Sequence, residues 1–288
     1  MYRRRIRHDC DKFIDLLDFN DEDAAKRIAE DKIDILIDLM GHTKSNRLGI
    51  CAYHPAKIQA TWLGFPGTSG AKFFEYMITD KTATPEDHAK WCSEQLVFMP
   101  YCYQINDHCQ PFSEKQFSRK EFGLPESGFV FCSFNQAYKI EPIMFDVWMK
   151  LLREVPGSVL WLLQRSDLTE INLKKEAEKR GVNPNRLIFS QKLHKDEHLS
   201  RHILADLVLD TRIYNGHTTT SDALWAGVPV IGIEGTHFAS RVCASILKTI
   251  GLPQLIAKNL QEYESLALGL ARNPDALNRI RQQIAKNA

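Results

Sequence analysis

Residues 205–235, ADLVLDTRIYNGHTTTSDALWAGVPVIGIEG, decide the fold. The run ADLVLDT (205–211) is short and apolar, as a buried parallel strand is, and VPVIGIEG (228–235) reads the same way. Between them, SDALWAG (221–227) offers Ser or Thr as an N-cap, Asp222 in a first turn and Gly227 as a stop, which predicts a short helix. The order is strand, polar loop, helix, strand. Such a unit sets unpaired backbone N–H groups and the positive end of a helix dipole at the carboxyl edge of a sheet, where phosphate binds. An anion site is therefore expected here.

Working outward, the pattern repeats. FVFCSF (129–134), SVLWLLQ (158–164) and RLIFSQ (186–191) read as strands, each followed by a helical segment: 143–155, 168–181 and 195–203. Helices are also expected at 239–251 and from Leu260 onward. Upstream, a capped helix at 21–30 leads to a strand at 33–40, and KIQATWLGF (57–65) reads as a second strand. AKFFEYM (71–77) and TPEDHAKWCSEQL (84–96) read as helices, with a short strand at 97–103. Proline, serine and charge accumulate in 109–128, so the lobes are divided there, 1–118 and 119–288. The expected fold is α/β, two Rossmann-like lobes facing a cleft.

Composition narrows the function. The 288 residues suffice for two α/β lobes or one large domain. Thirty-seven basic side chains against 36 acidic ones leave a net charge of +1, which argues against a general polyanion binder and hence against nucleic acid. Seven scattered cysteines, none at the two-residue spacing of a zinc or redox pair, suit reduced thiols. No apolar run approaches a membrane span, and MYRRRIRHDCDKF (1–13) lacks the apolar centre of a signal peptide. The expected location is cytoplasmic.

Polar groups gather at the carboxyl ends of the second-lobe strands: Gln136 and Lys139 after the first, Lys195, His198 and Arg201 after the third, and His217, Thr218, Thr219 and Asp222 after the fourth. Lys139 is either a solvated surface charge or a cation for a departing diphosphate. Thr218 and Thr219 cap a helix, bind phosphate, or do both. Asp222 suits a helix dipole or a ribose hydroxyl, and Lys195, His198 and Arg201 by themselves read as an exposed amphipathic face. Asp21–Asp23 could pair around a metal, but the helical run that follows makes capping the better reading. No P-loop and no G-x-G-x-x-G fingerprint is present. In the first lobe, GHTKSNR (41–47) and PGTSG (66–70) end two strands. Pro66, Gly67, Thr68 and Ser69 allow close approach to a sugar or peptide, and His42 is a candidate proton acceptor.

GFPGTSG (64–70), FNQAYKI (134–140), KDEHLSR (195–201) and NGHTTTSDALWAGVP (215–229) resemble, in order, motifs of the catalytic region of the O-linked N-acetylglucosaminyltransferase and SPINDLY family, glycosyltransferase family 41. The resemblance runs over about residues 13–288. It implies a two-lobed glycosyltransferase of the B type, inverting and without metal or other cofactor, moving N-acetylglucosamine from UDP-N-acetylglucosamine to Ser or Thr of a protein or peptide acceptor. Gln136 and Lys139 match the family's diphosphate contacts, Lys139 being the one that stabilises departing UDP. His217, Thr218 and Thr219 match its phosphate binders, Asp222 its ribose ligand, and Lys195, His198 and Arg201 its uridine side.

The departures are also informative. Lys26 falls where the family has an acidic residue, and His54 where the animal enzymes carry Arg. The family's opening strand-helix segment and its tetratricopeptide repeats would lie upstream, and its last helix would extend past Ala288. A truncated catalytic region with an incomplete first lobe is the expectation. The alternatives are fucose or glucose transfer by the same fold, a sugar-nucleotide epimerase, and a non-catalytic UDP-sugar-binding or interaction module.

Overall fold

Apolar runs flanked by polar turns become parallel strands in the computed structural model, which describes residues 2–287. The chain groups into two units, one formed by residues up to Thr79 with Asp87–Phe98, the other by Asp80–Glu86 and Met99 onward.

The first unit opens with a basic helix, α1 (Tyr2–Asp9), none of whose side chains is buried. In α2 (Asp21–Glu30), Asn20 Oδ1 accepts the Asp23 N–H at 2.8 Å and three acids occupy the first turn, so the acidic run is a helix start. Asp21 is further engaged by the Arg47 guanidinium at 2.7 Å. The sheet follows chain order, β1 (Ile35–Asp38), β2 (Ile58–Thr61), β3 (Tyr76–Asp80) and β4 (Gln95–Met99), with the first three parallel. Between β1 and β2 a short helix, α3 (Leu48–Ala52), brings Ile50 onto Ala24 and Ala25 of α2. β1 is an edge strand, and Ile35 and Ile37 remain 56% and 40% exposed.

Two expected helices are not formed. Residues 71–77 make a turn and then enter β3, because Gln59 Nε2 donates to the Phe73 carbonyl at 2.6 Å and the Glu75 carboxylate accepts the Gln59 N–H at 2.7 Å. These tertiary bonds outweigh local helix preference. In 84–96 only one tight 3₁₀ stretch forms, Glu86–Trp91, and the chain then extends into β4.

The second unit alternates as expected: β5 (Val130–Ser133), α4 (Pro142–Glu154), β6 (Val159–Leu163), α5 (Asp167–Lys179), β7 (Leu187–Ser190), α6 (Lys195–His202), β8 (Leu207–Leu209), α7 (Thr218–Trp225), β9 (Val230–Ile233), α8 (Val242–Thr249), β10 (Ile256–Ala257), α9 (Leu260–Arg272) and α10 (Pro274–Asn287). Its strands are parallel in the order β10-β9-β8-β5-β6-β7. Trp148 of α4 and Trp161 of β6 are wholly buried, and burial of a large side chain of this kind is worth roughly 2–3 kcal/mol. Trp161 also places its indole N–H on Ser190 Oγ at 2.7 Å, so the polar edge of the ring is not left unpaired. Residues 99–118 hold to this unit through Ser113, whose N–H reaches Ser200 Oγ at 2.8 Å, and through Tyr103, which packs on Phe238.

α7 begins three residues earlier than expected. His217 is its N-cap residue, without a side-chain cap bond, and Thr218 and Thr219 are its first two helical residues. Asp222 is therefore the fifth residue of the helix and faces the interior. Gly227 ends the helix as expected: its φ of +76° is the left-handed conformation that favours glycine.

Candidate functional site

In the second sheet the chain leaves β5 on one side for β6 and returns on the other at β8, so the loops beyond these neighbouring strands diverge. This is the switch point at which open parallel sheets bind ligands. Asn135, just past β5, donates through Nδ2 to Asp210 Oδ1 at 2.9 Å and Thr211 Oγ1 at 3.0 Å, and accepts from Thr219 Oγ1 at 2.7 Å. Asp210 also accepts the Gly216 N–H at 2.6 Å, and Asn215 Nδ2 donates to the Thr211 carbonyl at 2.7 Å. The loop 211–217 is thus held at both ends before it enters α7. Burial pushes the Asp210 carboxyl up to about 6, against the opposing pull of the Gly216 N–H, Asn135 and the Lys139 charge.

Lys139 lies on the turn opened by Gln136, whose carbonyl accepts the Lys139 N–H at 2.9 Å. Its Nζ reaches across to the Asn215 carbonyl at 2.7 Å and sits 3.9 Å from the centre of the Tyr214 ring. Burial lowers its pKa, and the charge of Asp210 opposes that shift. His217 meets the Tyr214 ring edge-on, 5.2 Å between centres. Burial first, and the Lys139 charge second, bring the His217 imidazole down to about 3, so it is neutral at pH 7. Its Nε2 is buried with no hydrogen-bond partner among the described residues. The first-turn N–H groups of Thr218 and Thr219 have no acceptor within their own helix. The sequence-selected residues Gln136, Lys139, His217, Thr218 and Thr219 therefore belong to one constellation.

A second cluster joins α6 to α7. The Lys195 ammonium pairs with the buried Asp222 carboxylate, and His198 Nε2 lies 3.9 Å from the other carboxylate oxygen. Burial raises the Asp222 pKa, and Lys195 opposes the shift. Arg201 is not on an exposed face: it is wholly buried, stacked 4.3 Å from the centre of the Phe134 ring, and donates to the Gln191 carbonyl at 2.7 Å. It also donates to His198 Nδ1 at 3.1 and 2.8 Å. Burial and the nearby cations bring His198 down to about 3. The reading of Lys195, His198 and Arg201 as a solvated stripe fails because α6 turns this face inward against Phe134 and Asp222. Asp222 serves this cluster, not the helix dipole.

The first unit gathers the remaining candidates. His42 Nε2 bonds the Ser69 carbonyl at 2.7 Å, and its ring meets Phe65 edge-on at 5.2 Å. The two loops cross closely at Gly64, where a Cβ would stand 2.1 Å from the Leu39 carbonyl oxygen. Thr68 and Ser69 are organised by Glu94, a residue the sequence did not single out. Its carboxylate accepts from Thr68 Oγ1 at 2.6 Å, from the Ser69 N–H at 2.7 Å, and from the Ser69 hydroxyl. Burial pushes the Glu94 pKa up, but these hydrogen bonds prevail and hold it below the ordinary value. Pro66 and Gly67 start the same loop, with the Gly67 N–H on the Phe65 carbonyl at 3.0 Å.

Among the described residues, no group of three or more His, Cys, Asp or Glu side chains is placed to hold a metal ion. Among the same residues, no helix is long and apolar enough to cross a membrane.

The sequence model of glycosyl transferase family 41 matches residues 1–117 and 115–288. The curated "Probable UDP-N-acetylglucosamine peptide N-acetylglucosaminyltransferase SEC" of Arabidopsis thaliana is 40% identical over 98% of this chain and 30% of its own length. The corresponding SPINDLY protein of Oryza sativa subsp. japonica is 35% identical over 94% of this chain and 29% of its own. Among solved structures, a mutant of the Thermobaculum terrenum O-GlcNAc transferase superposes with a TM-score of 0.90 at 31% identity, covering 98% of this chain and 54% of that one. The chain thus spans about a third of the length of the curated relatives it matches.

Proposed function

We propose, because the chain belongs to glycosyl transferase family 41, that it moves N-acetylglucosamine from UDP-N-acetylglucosamine to Ser or Thr hydroxyls of a protein acceptor. The observation that carries this reading is the half-buried Lys139 ammonium at the sheet's switch point, beside the loop that leads into the N-terminus of α7. The names of the relatives give the donor and the acceptor class.

In the proposed reaction the acceptor oxygen bonds to the anomeric carbon as the bond from that carbon to the diphosphate oxygen breaks, on opposite faces, so the configuration inverts. UDP leaves with the bonding electrons. The charge that develops on it is met by Lys139 and by the Thr218 and Thr219 N–H groups, with His217 shaping the phosphate side. These groups take the place of a metal ion. Gln136 adds a diphosphate contact, Asp222 a ribose contact, and Lys195, His198 and Arg201 shape the uridine side. Pro66, Gly67, Thr68 and Ser69 serve the sugar and acceptor side. The acceptor's proton passes to a base, for which His42 is the candidate through Nδ1, since Nε2 is engaged with Ser69. Seven free cysteines, three of them buried, fit a reducing cytoplasmic setting.

Calorimetric titration with UDP, with GDP as control, tests the donor site. UDP binding that is lost in His217→Ala supports it. No UDP binding by folded protein overturns it, and release of UDP from UDP-N-acetylglucosamine only in the presence of a Ser/Thr peptide separates transfer from mere binding.

A further inference from the structure

We propose that Tyr214 is a positioning residue for Lys139, its ring face being the seat that holds the ammonium toward the leaving diphosphate. The inference deepens the donor-site reading and rests on it.

Among the described residues Lys139 Nζ has two near partners, and both are neutral: the Asn215 carbonyl at 2.7 Å and the Tyr214 ring centre at 3.9 Å. A carboxylate in either place would neutralise the ammonium and reduce what it offers an incoming anion. A carbonyl dipole and a ring quadrupole hold the cation while leaving its net charge available. Asp210, the acid that faces Lys139 from the end of β8, spends Oδ1 on the Gly216 N–H and Asn135. His217, which faces it from the start of α7, is neutral at pH 7.

The ring is bordered by two other rings, and the backbone that carries it is held as well. Thr211 Oγ1 donates to the Tyr214 carbonyl at 2.6 Å, His217 meets the ring edge-on at 5.2 Å, and Tyr138 stacks at 6.4 Å with 27° between planes. Tyr138 neighbours Lys139 in the chain and is 75% exposed, so the aromatic pair borders the ammonium without burying it completely. Because the seat is the ring face, phenylalanine should replace tyrosine at this position.

The test is a double-substitution cycle on UDP affinity, with Tyr214→Leu, Tyr214→Phe, Lys139→Met and the Tyr214→Leu/Lys139→Met pair measured by calorimetry. Tyr214→Leu is expected to weaken UDP roughly fivefold to thirtyfold, Tyr214→Phe to restore it, and Tyr214→Leu to cost nothing further once Lys139 is Met. Full additivity of the two losses would overturn the proposal, since the ring would then act independently of the ammonium. A second readout needs no nucleotide: in protein carrying ¹³C-labelled lysine, the Lys139 ε-carbon titration should move to lower pH in Tyr214→Leu and stay in place in Tyr214→Phe. An unmoved titration in Tyr214→Leu would overturn the seat even in a protein that binds no UDP. If the titration moves while UDP fails to bind, the seat stands and the donor-site reading falls.

Discussion

At the scale of single residues, Lys139 and Asp210 carry opposite formal charges on neighbouring loops and have opposite duties. Lys139 is the cation proposed above to meet the leaving diphosphate. Its replacement by Ala should lower the transfer rate by about a hundredfold or more while UDP-N-acetylglucosamine still binds, the loss usual for one transition-state electrostatic contact, as steady-state UDP release would show. Asp210 faces inward and clamps the loop. Its folded pKa of about 6 stands above the ordinary 3.8, so between those values the folded chain holds a proton that the unfolded chain has lost. Stability from this group therefore falls as pH rises from about 4 to about 6, by on the order of 2–3 kcal/mol. Urea midpoints of wild type and Asp210→Asn should converge at about pH 3, below the unfolded pKa, and separate by about pH 7, with the variant more stable at the higher pH. Lys139 and His217 stand out in the sequence only because polar groups converge after several apolar strands, and the structure sets both beside the Tyr214 ring. Asp210 and Glu94 do not stand out, since an acid after a strand reads as the first residue of a turn and an acid within an expected helix reads as surface charge until its burial is seen.

At the scale of elements, what was misread shares a cause. The run 71–77 has a helical composition and is drawn into extended structure by the Gln59 side chain. The stretch 84–96 shortens so that Glu94 can reach back to Ser69. α7 begins at Thr218 because its first turn is stabilised from outside, through the Thr219 hydroxyl on Asn135, and needs no capping side chain of its own. Helices capped locally, such as α2 with Asn20 and α5 with Ser166, were legible almost to the residue. The Glu94 bracket yields its own prediction. Glu94→Ala removes the acceptor of the Ser69 N–H and of the Thr68, Ser69 and Ser93 hydroxyls, and should destabilise the first unit by on the order of 3 kcal/mol. Amide exchange at Ser69 should accelerate by a like factor while the amides of β5 and β6 are unchanged.

At the scale of the whole molecule, the α/β class was readable from the alternation alone, because a parallel strand buried on both faces must be apolar throughout and its crossover must be long. A ligand that binds only the folded chain must also stabilise it: UDP at a hundred times its dissociation constant should add about 2.7 kcal/mol. That gain should appear as a raised Tm, vanish in His217→Ala, and survive EDTA, since the proposed site uses no metal. The first sheet carries a different consequence. Among the described residues β1 pairs on one side only, with Ile35 and Ile37 exposed within it and Ile33 and Leu39 exposed at its two ends. Two such edges in separate molecules can zip together, and the tendency grows with concentration. Shelf life in the tube is then governed far from the chemistry, and a single Ile37→Lys exchange should quiet light scattering in concentrated stocks while UDP affinity stays where it was.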